Sequence, residues 1–482
     1  MSAPKRRAER SRATSGPRGN PTGGAPRRVG SRLAGGGPAA TASIVALVLL
    51  TVVALAMLPR AVSASQRAAK QGASVASSTA TRELVCPGHG PVAHVVATTG
   101  LDGSSAGVRT GGSRTVLGPG QSREVSKSGI GAVVLRTTST GVLASQVSDT
   151  SADLAPCLEP RTSWWFTGAG AGKGPAPHSS RIILVNSRPG VAIVNLDVFG
   201  PRGRVEAPEA RGISVASGAE VVVDLARVAP AKGDLAVQVS TTRGLVVAAM
   251  SEDLVDPSGT TTSVWLPASA APATSNTILG LPGFAAGDRA EENLALVVAN
   301  PGDREAVVRV SVTNANGSFA PDGLAAVRVP AGSTRTVDAT SAMGADGLGL
   351  LLSSQGPVAA SLRVTTPTAL VGVPSGTAYP GAAGLVLDPT VTAQLALLAP
   401  RDPALAEVTV VGTDGKVLFE RRVRLSKGAV SVLDLPAKPG TVVVSATGEV
   451  VATVLTKRGA SAGLSGLVRP NPARAAITVR PH

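Results

Sequence analysis

Aromatic side chains are almost absent: three Trp, one Tyr and five Phe in 482 residues. That scarcity argues against a nucleic-acid surface built on base stacking. It also means that any core must be assembled from Val, Leu and Ala, which bury less area per residue than rings do. Histidine is scarcer still, at His89, His94, His178 and His482, and leaves few bases for acid–base chemistry. The only cysteines are Cys86 and Cys157, too few and too far apart for a thiolate metal cluster or a CxxC redox motif. Long helical periodicity is missing after residue 58.

What is present begins with an uncharged run of twenty residues, Ala39 to Leu58, bounded by Pro38 and Pro59. At 1.5 Å per helical residue, this run spans the ~30 Å hydrocarbon core of a bilayer. The preceding tail, residues 1–38, carries nine Lys or Arg against Glu9 alone. Cations flanking a first apolar segment stay on the cytoplasmic side, so the tail is expected inside and the C-terminal bulk outside. The alternative is a cleaved leader, since Val62-Ser63-Ala64 has the small-x-small form of a cleavage site. The long apolar run and long basic region favour an uncleaved anchor. Residues 59–82 read as a flexible linker.

The formal charge of +15 belongs mainly to this N-terminal part. Residues 83–482 are close to neutral, with 33 basic against 30 acidic residues, so no nucleic-acid partner is expected. The tail cations serve orientation and attraction to anionic lipid.

After residue 82, short β-branched runs alternate with Gly, Pro, Asn and Asp, the signal for an all-β sandwich or barrel. One pattern is written four times. A first glycine stands at Gly120, Gly218, Gly332 and Gly428, followed six residues later by Ser126, Asp224, Asp338 and Asp434. A second stands at Gly141, Gly244, Gly356 and Gly448, followed four residues later by Ser145, Ala248, Ala360 and Ala452. Apolar runs flank both, and copies two and three open alike, with Ile182-Ile183-Leu184-Val185-Asn186 and Leu294-Ala295-Leu296-Val297-Val298-Ala299-Asn300-Pro301. A period near 100 residues fits an immunoglobulin-like or fibronectin-like sandwich. Four β modules are expected at 83–168, 169–275, 276–378 and 379–482. In copy two, strands are expected at 181–186, 192–199, 212–215, 220–225, 234–240, 244–251 and 263–267. The alternative is a β-propeller-like closed array, which the last segment, Ala475 to Val479, would close.

Cys86 and Cys157 are expected to form a disulfide closing a loop of about 70 residues, worth ~4 kcal/mol in the entropy model. Cys86-Pro87-Gly88, Trp164-Trp165-Phe166-Thr167-Gly168 and Ile183-Leu184-Val185-Asn186 together resemble an uncharacterised family of actinobacterial secreted proteins. That family is a domain of unknown function with one N-terminal membrane segment. The resemblance implies an exported cell-envelope protein and supplies no catalytic residues.

Several patterns imitate chemistry. Gly103-Ser104-Ser105-Ala106-Gly107 and Gly459-Ala460-Ser461-Ala462-Gly463 match a nucleophile elbow, yet no helix is expected after either. The stretch Gly168 to Gly174 resembles a phosphate loop but has Thr167 in place of the first Gly and Gly174 in place of Ser or Thr. His89 and His94 lack a carboxylate cluster, so no metal site is assigned. Asp224, Asp338 and Asp434 repeat in separate modules and are read as turn or strand-end hydrogen-bonding residues. Asn316-Gly317-Ser318 fits a glycosylation acceptor and, more simply, a turn.

Trp164, Trp165 and Trp265 are the candidate contacts for a partner or a glycan, and are read first as plugs between modules. No cofactor, metal or catalytic residue is assigned. The reading is a membrane-tethered, extracytoplasmic, non-catalytic accessory or scaffold protein, with an envelope protein as partner. A cell-wall glycan binder is the alternative, and a secreted hydrolase the weakest reading.

Overall fold

Short apolar runs between glycine turns give a chain built almost wholly of antiparallel strands. The computed structural model describes residues 81–88, 93–99, 105–127, 131–139, 141–148, 151–171, 178–230, 233–255, 261–280, 293–344, 346–365, 370–459 and 461–469. The segment Ala39 to Leu58, the basic tail, most of the linker and Ala475 to Val479 lie outside them. Among the described residues, no helix is long and apolar enough to cross a membrane.

The first repeat holds β1 (Arg82–Cys86), β2 (Ala93–Thr98), β3 (Ala106–Thr110), β4 (Ser113–Leu117), β5 (Ser122–Lys127), β6 (Val133–Thr137), β7 (Leu143–Ser148) and β8 (Leu154–Pro156). The second holds β9 (Ser163–Ala169), β10 (His178–Val185), β11 (Ala192–Gly200), β12 (Gly203–Val205), β13 (Ile213–Val215), β14 (Glu220–Asp224), β15 (Leu235–Arg243), β16 (Val247–Val255) and β17 (Thr261–Leu266). The third holds β18 (Ala273–Leu279), β19 (Asn293–Asn300), β20 (Ala306–Asn314), β21 (Gly317–Phe319), β22 (Val327–Val329), β23 (Ser333–Asp338), β24 (Gly349–Thr365) and β25 (Leu370–Gly376). The fourth holds β26 (Tyr379–Val386), β27 (Thr392–Leu398), β28 (Ala404–Gly412), β29 (Val417–Leu425), β30 (Val430–Asp434), β31 (Pro439–Arg458) and β32 (Ser461–Gly466). Two short helices, α1 (Leu225–Val228) and α2 (Thr340–Met343), follow β14 and β23.

All four repeats share one strand order. In the first, the sheets run β1-β6-β3-β4 and β5-β2-β7-β8; in the second, β9-β15-β11-β12 and β14-β10-β16-β17. The third and fourth follow the same order with one change. The two strands separated by Gly141 and Gly244 in the earlier copies are fused there into β24 and β31, of 17 and 20 residues. Each fused strand serves both sheets: β31 pairs with β26 and β28 through its first half, and with β27 and β32 through its second. This order is not the ABED/CFG order of an immunoglobulin domain, because the first strand pairs with the sixth and the second with the seventh. Nor are the sheets propeller blades, whose strands follow one another as a meander. Periodicity reports which residues face inward but carries no information about which strand is the neighbour.

The repeating glycines have a conformational cause. Gly120, Gly218, Gly332 and Gly428 all adopt positive φ, between 63° and 74°, in the turn that enters the fifth strand position. A side chain there would be strained. The small residues Ser145, Ala248, Ala360 and Ala452 are all buried, on the strand that follows the second glycine.

Contacts between repeats run in a cycle. Val85 and Val134 of the first repeat pack into the core of the second. Trp165, Phe199 and Ala236 of the second meet Ala299 and Ala359 of the third. Leu279 of the third meets Ala396, Leu398, Val430 and Val451 of the fourth. Tyr379, Ala383 and Leu385 of the fourth then pack with Val96, Leu143, Val147 and Leu154 of the first. In each case the sheet containing the first strand lies on the next repeat's other sheet, as heterologous contacts do when the rotation closes.

This cycle explains the unbroken apolar runs. A sheet with one wet face shows alternation, whereas a strand covered on both faces does not. Along β27, Leu395 and Leu397 enter their own core, while Ala396 and Leu398 face the third repeat. Along β7 all six residues are buried, with Ala144 inside the first repeat and Leu143 and Val147 against the fourth.

Candidate functional site

The three tryptophans are packing residues of the second repeat and its seam. The sequence pattern put Trp164 and Trp165 after the last hairpin of the first copy; they lie on β9, which pairs with β15 and opens the second. Trp265 lies on β17, at the other end of the same repeat. The Trp164 ring is buried, its Nε1 donates to the Val246 carbonyl at 3.0 Å, and the Arg161 guanidinium sits 5.1 Å from its centroid. Trp165 is 6% exposed and stacks on Phe199, with centroids 5.7 Å apart. Trp265 is partly buried against the second core. Neither Trp164 nor Trp165 offers a ring face to a glycan.

The repeated aspartates end their strands. Asp224 caps α1, accepting from the Ala226 N–H at 2.8 Å, and Asp338 accepts from the Thr340 N–H at 2.8 Å. Hydrogen bonding by the Thr340 side chain, with its N–H, holds the Asp338 carboxyl below the usual carboxylate range. Asp434 accepts from Gln394 Nε2 at 2.7 Å. The Ser126 side chain lies outside the described residues.

The remaining motifs do no chemistry visible in the fold. Ser461 begins β32 and its Oγ accepts from the Ala152 N–H at 2.9 Å, across the seam between repeats four and one. Ser105, the nucleophile position of the other match, is exposed and runs straight into strand β3 rather than a helix, while His89 and Lys173 lie outside the described residues. Asn316 and Gly317 form the β20–β21 turn, donating to Asn314 Oδ1 at 2.9 and 3.2 Å. Among the described residues, no three His, Cys, Asp or Glu side chains converge as a metal site would require.

The disulfide joins Cys86 and Cys157, separated by 71 positions. Cys86 ends β1 and Cys157 follows β8, so the bond ties the two sheets of the first repeat together. Among the described residues, that repeat has the smallest apolar cluster of the four, with no aromatic side chain in it. A covalent tie compensates for a thin core.

Buried carboxylates held by arginine, which the sequence reading missed, mark three seams. Glu83 is 7% exposed and joins the first two repeats: Arg136 donates to it at 3.0 Å, Ser187 Oγ at 2.8 Å, and Arg188 pairs with it at 3.0 Å. Asp234 accepts from Arg363 and, at 2.7 Å, from Thr336 Oγ1, both in the third repeat. Asp388 pairs with Arg458, whose Nη1 also donates to the Ser151 carbonyl of the first repeat at 2.9 Å. No sequence signal marks these pairs, since the partners lie up to 129 positions apart.

One cavity lies at a seam and another within the fourth repeat. One, of about 240 Å³, lies between repeats one and four, where Arg82, Arg161, Glu159 and Arg469 gather; Arg82 donates to Glu159 at 2.9 and 2.7 Å. The other, of about 490 Å³, opens at one end of the fourth repeat beside Leu435, Lys438 and Leu455. At the same end of the second and third repeats sit α1 and α2, burying Leu225, Val228 and Met343. In the fourth repeat, residues 435–438 alone make this connection, and Lys438 takes a positive φ of 58° to do so.

The chain belongs to a family of unknown function, DUF5719, whose profile matches residues 121–436. That span runs from β5 of the first repeat to just past β30 of the fourth. No curated protein matches the chain.

Proposed function

We propose that this chain is a membrane-tethered, extracytoplasmic, non-catalytic accessory or scaffold protein of the cell envelope. The observation that carries the reading is the cyclic packing of four double-sheet repeats. Their apolar faces, with the Trp165 and Phe199 rings at one seam and Tyr379 at another, are used on one another, which supports a platform rather than a cleft around a reacting centre. The disulfide suits an oxidising compartment. The apolar run Ala39 to Leu58 behind a basic tail supports a single-pass anchor with the N-terminus in the cytoplasm. On the same reading the source is actinobacterial and the partner is another envelope protein. A wall-glycan role would rest on Trp265 alone, since Trp164 and Trp165 are buried.

The test is made on the full chain at native expression. Membrane fractions should retain the protein after high-salt and carbonate washes, and protease added to intact spheroplasts should remove the repeats while sparing the tail. Photo-crosslinking from the exposed hairpin β28–β29 should then trap one envelope protein repeatedly. Cytosolic recovery, or a wall-bound protein that crosslinks to no protein, would overturn the reading.

A further inference from the structure

The fourth strand position of the repeat is the outer edge of its sheet, and the repeats treat it differently. In the first three it is short: five residues in β4, two separate pieces of three in β12 and β13, and two of three in β21 and β22. Short edge strands are one way a protein avoids pairing with other chains. In the fourth repeat the same position is β29, nine residues paired with β28 along its length and with no other strand among those described. Apart from a bulge at Leu418, the backbone N–H and C=O groups of its outer side are therefore left open among the described residues.

Its side chains are distinctive. Val417 and Leu418, 59% and 44% exposed, stand at one end, and Leu405 of β28 is exposed opposite Arg424 at the other. Between and beyond them stand the exposed cations Arg421, Arg422, Arg424 and Lys427. The acidic groups on the hairpin are fewer: Glu420, Glu407, 3.5 Å from Arg422, and Asp414 in the turn, 3.1 Å from Lys416. In a near-neutral body this is a local basic excess. It disfavours a second copy of β29 as the partner, because like charges would oppose one another across the new pair.

We infer that β29 is a docking edge for an extended acidic segment of a partner protein, which adds as a further strand to the β29-β28-β31 sheet. Main-chain hydrogen bonds supply affinity, the arginines select acidic side chains, and Val417 and Leu418 take alternate apolar ones. This names the partner chemistry for the accessory role and so rests on that reading.

The probe is a fluorescein-labelled decapeptide alternating Glu and Val, titrated against the detergent-purified full chain and followed by anisotropy. Saturable binding is expected, falling at least tenfold in the double variant Arg422→Glu/Arg424→Glu and persisting in Arg422→Lys/Arg424→Lys. A peptide N-methylated at alternate residues should not bind, because it cannot form the ladder. The proposal is overturned by absence of saturable binding, by equal binding of the N-methylated peptide (attraction of charge alone), or by binding that the reversed charges leave intact. Both variants change exposed positions, and unchanged melting curves exclude misfolding. Failure here leaves the envelope location standing, whereas a cytosolic location would sink the accessory role without touching peptide binding.

Discussion

The seam between the first two repeats and the seam between the second and third solve one packing problem with different chemistry. At the second, Trp165 stacks on Phe199 against Ala299 and Ala359, and Asp234 with Arg363 closes the rim. At the first, Glu83 binds Arg136, Arg188 and Ser187, and the two arginines are more than two-fifths exposed. The turns differ too. Gly120, Gly332 and Gly428 each touch a hairpin of the preceding repeat in the cycle, near Gly415, Arg204 and Ser318, while Gly218 touches none. The ion pairs of the first seam are thus the more exposed ones, at 43% and 42% for their arginines against 21% for Arg363 and Arg458, and salt should weaken that seam more than the others.

Removing the aromatic plug should have the largest effect. Trp165→Ala should cost about 3–5 kcal/mol in urea unfolding and raise hydrogen exchange in β9 and β19. Loss of the disulfide by Cys86→Ser with Cys157→Ser should cost about 2–5 kcal/mol, with exchange rising in the first repeat. Glu83→Gln should cost about 1–2 kcal/mol, since the arginines it leaves remain partly hydrated. It should also abolish the extra salt sensitivity of the first seam. A cost of Glu83→Gln equal to that of Trp165→Ala would erase the contrast.

The seam between repeats four and one offers two finer tests. Tyr379 is buried there, its hydroxyl has no hydrogen-bond partner among the described residues, and burial pushes its pKa upward. Tyr379→Phe should therefore be neutral or stabilise by about 1 kcal/mol in denaturant titrations. Asp153, in the turn that carries Ser151, is pushed up to about 6, chiefly by burial, against the hydrogen bond from Ser151. Because its folded pKa exceeds its unfolded one, its contribution is full below pH about 4 and is lost as pH rises to about 6. Asp153→Asn should flatten that part of the stability–pH curve, and an unaltered slope would contradict the assignment.

Much of a single repeat was legible in the sequence. The recurring glycines are turn positions with positive φ, and the small residues after the second glycine are buried. Expected strands such as 192–199 and 220–225 fall on β11 and β14 within a residue or so. The assembly was not legible, and the reason is physical. A strand such as Leu395-Ala396-Leu397-Leu398 buries both faces, so its period carries no sign of which face meets a neighbour. The same blindness hid β9, whose run Trp164-Trp165-Phe166 reads equally well as an ending or a beginning. The basic edge of β29 was present as Arg421, Arg422 and Arg424, but its exposure depends on a sheet order that periodicity does not encode.

Cyclic closure is the central claim, and its most direct test joins the first repeat to the fourth. Ser122 Oγ lies 3.2 Å from Thr441 Oγ1, although 319 positions separate them. In the variant Ser122→Cys/Thr441→Cys, air oxidation should form an intramolecular disulfide in the monomer, seen by mass spectrometry beside the native Cys86–Cys157 bond. Free thiols at both positions, or bonds formed only between molecules, would mean that the four repeats form an open array.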